Sequence, residues 1–299
     1  MDSPLSTIRR SPEQEYSIGI YRGSSPLDLR PVPESANPVL TRESVTDAKA
    51  GLVADPFMTR TKTGWSMFFE VWDLNDRRGK IGLATSRDAA AWTYRRIVLD
   101  EPFHLSYPYV FESGGDYYMV PETDQAASVR LYKAASFPDH WQFQCTILSG
   151  PRFVDSSIFA WQGRWWIFTE TGRLVRHSTL RLFYAETITG PWREHPKSPI
   201  VAGNAHQARP AGRVIVWHGN PVRFAQDCEP VYGTAVRAFA ITTLTPDDYA
   251  ERSITPEPIL RGGAAAWNSG GMHHIDPHLL ADGSWLASVD GWRDIARYD

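Results

Sequence analysis

A spacing constrains this chain more than any single motif. Asp55 opens the segment ADPFM, and Glu70 closes the apolar run GWSMFFE 15 residues later. Tyr107 and Glu122 bracket YPYVF and YYMVPE at the same interval, as Asp155 and Glu170 bracket DSSIF and RWWIFTE. Asp276 and Asp290 bracket DPHLL and SWLASVD at an interval of 14. Two antiparallel strands joined by a tight turn bring the start of the first and the end of the second to one sheet edge. Each repeat therefore carries its acids to the same end, and a ring of such repeats gathers them around a funnel.

The repeat openings at residues 55, 107, 155, 209 and 276 recur with strand signals and no helical pattern. A period of roughly 50 residues of this kind points to a propeller or a β-solenoid. Within a unit, an opening strand is followed by a glycine turn and an aromatic strand, as in KTGWSMFF, SGGDYYMV, WQGRWWIF and ADGSWLAS. A third strand (IGLATS, VRLYKA, LRLFYAET) and a fourth built around a tryptophan (AAWTYRRIVL, DHWQFQCTIL, GPWREHPKSPI) complete the early units. The last unit stops after its second strand. The missing half matches the start of the chain, where the segment from Ile18 to Leu40 repeats the opening Ile-Gly and closing Val-Leu of Ile81–Leu99. The expected fold is an all-β, five-bladed propeller over residues 16–299, preceded by a loose tail over 1–15. Ile18–Leu40 is expected to pair with Trp285–Val289 and close the ring, which removes exposed strand edges.

Composition narrows the function. A net charge of −3 without a basic run argues against nucleic acid as partner. No apolar window reaches the roughly 18 residues of a membrane helix. The opening MDSPLSTIRRSPEQE is too polar for a signal peptide, so a cytoplasmic protein is the expectation. Two cysteines, Cys145 and Cys228, make neither a disulfide framework nor a metal pair. The 12 Trp, 12 Tyr and 13 Phe suit packed sheets, and also the stacking of sugars.

The segments SIGIYRGSSPLDL, ADPFM, MFFEVW, YPYVF, YYMVPET, RFAQDCEPVYG and GGMHHIDPHLL, spread over residues 16–293, resemble the five-bladed propellers of arabinanases, β-xylosidases, levansucrases and invertases. Within that architecture the chain is most similar to the domain found at the N-terminus of glucosamine inositolphosphorylceramide transferases and in related bacterial proteins. The resemblance implies a carbohydrate or glycoconjugate substrate. It implies Asp55 as base or nucleophile and Asp155 as the carboxylate that orients substrate. It also implies a glutamate acid opening the fourth blade, where this chain has Ala208 and Arg209. Three readings stay open. Glu170 or Glu122 supplies the proton; or the leaving group is an anion such as phosphate, held by Arg209 and Arg223; or the funnel binds sugar without chemistry. For Glu70, Glu122 and Glu170, a structural role capping blade-edge amides competes with the catalytic one.

Two further clusters join the candidate site. Arg223, Gln226, Asp227 and Tyr232 crowd the loop VRFAQDCEPVYG and are expected to bind substrate with Tyr107, unless they form an internal salt-bridge network. In WNSGGMHHIDPH, Trp267 is a candidate sugar platform and Asn268 a hydrogen-bonding group. If His273, His274, Asp276 and His278 alternate along a strand, His274 lies on one side with Asp276 and His278, and His273 lies on the other. By resemblance, His274 or His273 reaches a divalent cation in the central channel; neutral, hydrogen-bonded imidazoles are the alternative.

Overall fold

The computed structural model describes residues 14–32, 36–150, 152–172 and 176–295. Their strands form five antiparallel sheets. The first blade runs outward through Ala50–Thr61, Gly64–Asp73, Arg78–Ser86 and Thr93–Leu99. The second runs through Ser106–Ser113, Asp116–Glu122, Ser128–Ser136 and His140–Ser149. The third has Val154–Trp161, Arg164–Glu170 and Thr179–Ala185, and the short pieces Arg193–Glu194 and Val201–Ala202 share its outer edge. The fourth has Ile215–Trp217, Asn220–Asp227 and Ala235–Leu244, edged by Tyr249–Ser253 and Leu260–Arg261.

The fifth blade is made from both ends of the chain. Ile275–Leu279 pairs with Trp285–Asp294, which pairs with Gln14–Ser25, which pairs with Asp28–Pro31. The register runs from Gly23 opposite Trp285 to Gln14 opposite Asp294. The expected closure is therefore present. The strand begins at Gln14, ahead of the boundary expected at residue 16, and the rest of the expected tail lies outside the described residues.

Packing between blades explains why the inner strands read as unbroken apolar runs, since sheets covered on both faces need no polar alternation. Phe57, Phe68 and Leu83 of the first blade pack with Tyr109, Met119 and Trp141 of the second. Phe159, Trp166 and Phe168 of the third pack with Val214, Ile241 and Leu244 of the fourth.

One end of the ring is laced by a circuit of bonds from blade to blade. Asp290 accepts from the Asp55 amide (2.9 Å), Asp55 from the Tyr107 amide (3.4 Å), and Glu122 from the Asp155 amide (3.2 Å). Arg209 donates to Asp155 (2.6 Å), and the Ile275 amide donates to the Ala211 carbonyl (2.8 Å). The last step needs a glycine. Gly212 lies parallel to Ile275 at φ +134°, and a Cβ there would stand 1.8 Å from the Ile275 carbonyl oxygen.

The repeat is not perfect. In the first three blades Ala54, Ser106 and Val154 face Glu70, Glu122 and Glu170, and a bulge follows each. The fifth blade has no such bulge. Ile275 faces Val289, so the same register sets His274, not Asp276, across from Asp290. The interval of 14 that starts at Asp276 thus marks a residue one step inside the strand rather than a blade opening.

Candidate functional site

The bulges shape the funnel end. Asp55, Tyr107 and Asp155 hold left-handed backbone, with φ of 55°, 46° and 49°. For an L-residue this costs about 1–2 kcal/mol, less for Asp, whose short polar side chain bonds locally. Two of the closing acids act on the next blade's opening amide: Asp290 on Asp55 and Glu122 on Asp155. Glu170 does not. Its Oε1 accepts from the Gly172 amide (2.6 Å), and its buried Oε2 has no hydrogen-bond partner among the described residues. Glu70 lies fully buried, with Oε1 3.8 Å from His104 Nε2.

Between the second, third and fourth blades, Arg209 organises a charged corner. Its Nε meets Asp155 Oδ2 at 2.6 Å, and its Nη2 stands 4.0 Å from Glu122. Gln226 also donates to Asp155, at 2.8 Å. The Tyr232 ring lies 4.9 Å from the Arg209 guanidinium carbon. Burial, reinforced by the like charge of Asp155 and only partly offset by Arg209, pushes the Glu122 carboxyl well above its usual range. Burial also raises Glu170, against the pull of Arg209. His177 is pulled down to about 3 by burial and by Arg209, Arg152 and Arg176, so it is a neutral imidazole whose Nδ1 accepts from Arg209 Nη1 (3.0 Å). The corner thus sets carboxyl groups shifted upward by burial beside an Arg–Asp pair, the kind of difference between neighbours that acid–base chemistry uses.

A second corner joins the fifth and first blades. His273 Nε2 and His274 Nδ1 lie 3.7 and 3.9 Å from the same Asp55 oxygen, Oδ1. The two histidines precede the strand, so they do not alternate across it, and both face Asp55. Asp290 accepts from His273 Nδ1 (2.6 Å), and the Pro56 carbonyl from His274 Nε2 (3.1 Å). The remaining ring nitrogens face that carboxylate oxygen, and neither has a hydrogen-bond partner among the described residues. Two imidazole nitrogens converging on a carboxylate oxygen fit a cation, and the backbone and carboxylate partners behind each ring fix it as metal-site histidines are fixed. Asp55, His273 and Asp290 offer ligand atoms within 4.8 Å of one another. His273 thus joins His274 as a candidate ligand.

Other candidates belong to the framework. Strand alternation separates Gln226, which reaches Asp155, from Arg223 and Asp227 on the opposite face. Arg223 grips Glu251 through Nε and Nη2, both at 2.5 Å. Asp227 bonds His206 and Arg237. That pair is the internal salt-bridge alternative. The Tyr107 hydroxyl bonds Ser157 (2.8 Å) and Gly212, and its ring packs edge-on to Phe57 and His274. Asp276 is taken by Arg213 (2.5 Å), His278 (2.8 Å) and the Met58 amide. Against the upward pull of burial, Arg213 and His278 hold its carboxyl well below the usual range. Trp267 is buried against Gly19 and Gly291, and Asn268 donates to the Tyr21 hydroxyl (3.1 Å). The glycines around them admit this loop onto the fifth sheet, rather than opening it to a ligand. Arg152, His177 and Arg213 carried no motif or spacing that would single them out from sequence.

Ring, bulges and clustered carboxylates define a five-bladed propeller with its charged side chains gathered at one end. Solved structures agree on that fold. β-1,2-Mannobiose phosphorylase from Listeria innocua superposes with a TM-score of 0.65 at 13% identity, covering 91% of this chain and 96% of that one. An exo-1,5-α-L-arabinanase from a bovine ruminal metagenomic library gives 0.54 at 16% identity, covering 84% and 95%. Sequence is more specific. Residues 8–292 match the family described as glucosamine inositolphosphorylceramide transferase 1, N-terminal, and the chain belongs to that family. Glucosamine inositolphosphorylceramide transferase 1 of Oryza sativa subsp. japonica is 36% identical over 302 residues, covering 94% of this chain. The Arabidopsis thaliana protein of the same name is 34% identical over 305 residues, covering 95%. The chain spans 40% of the length of each relative. No helix among the described residues is long and apolar enough to cross a membrane.

Proposed function

We propose that the funnel binds a glycosyl group and cleaves or transfers it, with Glu170 as general acid and Asp55 as base or nucleophile. The observation that carries this reading is the Glu170 carboxyl, raised by burial, with one oxygen bound to a backbone amide and the other left without a partner among the described residues. A protonated acid so placed can donate to a departing glycosidic oxygen. A carboxylate across the ring takes the proton of the incoming hydroxyl or attacks the anomeric carbon. Asp155, clamped by Arg209 and Gln226, is suited to orienting substrate, and Tyr232 offers an aromatic face over the same space. A divalent cation held by His273, His274 and Asp55 Oδ1 would add positive charge at the funnel's base. The rice and Arabidopsis relatives are named as transferases of this kind, and a part in such a transfer belongs to the proposal.

A second reading, a sugar-binding module without chemistry, draws support from Asp55 itself, which is only 2% exposed and accepts a backbone amide. Asp55→Asn separates the two. Asn keeps the shape and tolerates left-handed backbone, but it can neither accept the proton nor form the glycosyl intermediate. The wild-type protein is expected to hydrolyse at least one member of a nitrophenyl glycoside panel, and Asp55→Asn to lose about 100-fold or more of that rate. Glycan-array binding by both proteins, with turnover by neither, establishes the binding module instead.

A further inference from the structure

Arg152 sits in the connector that enters the third blade, three residues before Asp155. Its backbone is left-handed, at φ 64°, a strained state for a long side chain that persists where the surroundings enforce it. Its Nε and Nη2 are buried and have no acceptor among the described residues. Those two atoms form one edge of the guanidinium, and other arginines of this molecule show what that edge does when matched. Arg223 uses it to hold both oxygens of Glu251, and Arg181 uses it on Glu194. A buried, charged fork without an acceptor is costly, so the Arg152 edge calls for an anion that the described residues do not supply.

The neighbours locate that anion. Arg152 is near enough to act electrostatically on Glu170, Asp124 and His177, and Arg209 acts on the same three groups. Arg152 and Arg209 thus both lie within electrostatic reach of the Glu170 and His177 side chains, and Arg209 touches His177 directly at 3.0 Å. Asp155 answers the charge of Arg209. Burial raises the carboxyls of Glu122, Glu170 and Asp124, which disfavours their charged forms beside the arginines. His177 accepts from Arg209 through Nδ1, which leaves its Nε2 proton as a further donor. Donors arriving from several directions suit a tetrahedral oxyanion better than a flat carboxylate.

We propose that Arg152, with Arg209 and His177, forms a subsite for a phosphate group, esterified to the carbohydrate ligand or free. The esterified case rests on the carbohydrate reading of the funnel. Calorimetric titration with inorganic phosphate, glucose 1-phosphate and glucose tests it. Phosphate-dependent binding at millimolar concentrations is expected, weakened about tenfold or more in Arg152→Gln, as loss of a bidentate charged contact predicts. Arg152→Lys, which keeps the charge but not the fork, is expected to fall between. Tighter binding of the sugar phosphate than of phosphate assigns the ester, and equal binding assigns the free ion. If no phosphate compound binds, or if folded Arg152→Gln and Arg152→Lys bind as the wild type does, the subsite is overturned. Phosphate binding that depends on Arg152, in a protein that binds no neutral glycan, keeps the subsite and removes the carbohydrate reading instead.

Discussion

Glu122 shows how one carboxyl can serve the frame and still tune the site. Its Oε2 caps the Asp155 amide, and burial next to Asp155 keeps its proton on above the ordinary value of 4.5. Between that value and the raised one, the folded chain holds more protons than the unfolded chain, so this group's contribution to stability falls as pH rises. Gln cannot titrate but can still accept from the amide. The melting temperature of Glu122→Gln is therefore expected to gain on the wild type as pH climbs from about 5 toward 8, by at least about 2 °C, the shift that ~1 kcal/mol gives in a domain this large. A gap that stays constant with pH refutes the raised carboxyl. At this scale the sequence was legible wherever a residue recurred. The 15-residue interval is the distance from a bulged opening residue to the acid at the end of the paired strand, and it found Asp55, Tyr107 and Asp155 with their acids. Arg209 was legible because it replaces an expected acid. Arg152 and His177 were not, because each is a single residue in a connector, and only the fold brings His177 to Arg209 and Arg152 within electrostatic reach of Glu170.

Among the elements, one turn chemistry recurs in three of the five blades. Gly114–Gly115, Gln162–Gly163 and His218–Gly219 join the first and second strands of their blades, and both residues of each pair have positive φ. Two-residue hairpins favour that conformation because its twist matches the strands, and Asn suits it better than Gln. Gln162→Asn is thus expected to stabilise the fold by about 0.5–1 kcal/mol, read as a rise in the denaturation midpoint at unchanged slope. A fall would show that the third-blade turn has another geometry. Hairpins could be read from glycine and aromatic runs, but faces could not always be. Arg223, Gln226 and Asp227 are close in sequence yet divide between two sides of one strand, because pleating alternates side chains. His273 and His274 escaped the same rule in the other direction, since they stop short of the strand that Ile275 begins.

For the molecule as a whole, closure was the feature most fully written in the sequence, because the chain's first strands repeat what its last unit lacks. Ten residue pairs from Gln14 opposite Asp294 to Gly23 opposite Trp285 join the ends. Deleting residues 14–31 would strip the outer two strands from the fifth blade and leave Trp285–Asp294 with a bare edge. Loss of the cooperative melting transition and the appearance of aggregates on size exclusion are expected. A monodisperse, cooperatively melting product would mean that the ring does not depend on this seam. The seam also fixes an address. Asp290 lies at the funnel end of its strand and Asp294 lies beyond it, opposite Gln14. Paired strands run about 5 Å apart, so Gln14 and Asp294 stand side by side past that end. A fluorophore tethered at either position would report on what approaches the carboxylates gathered there.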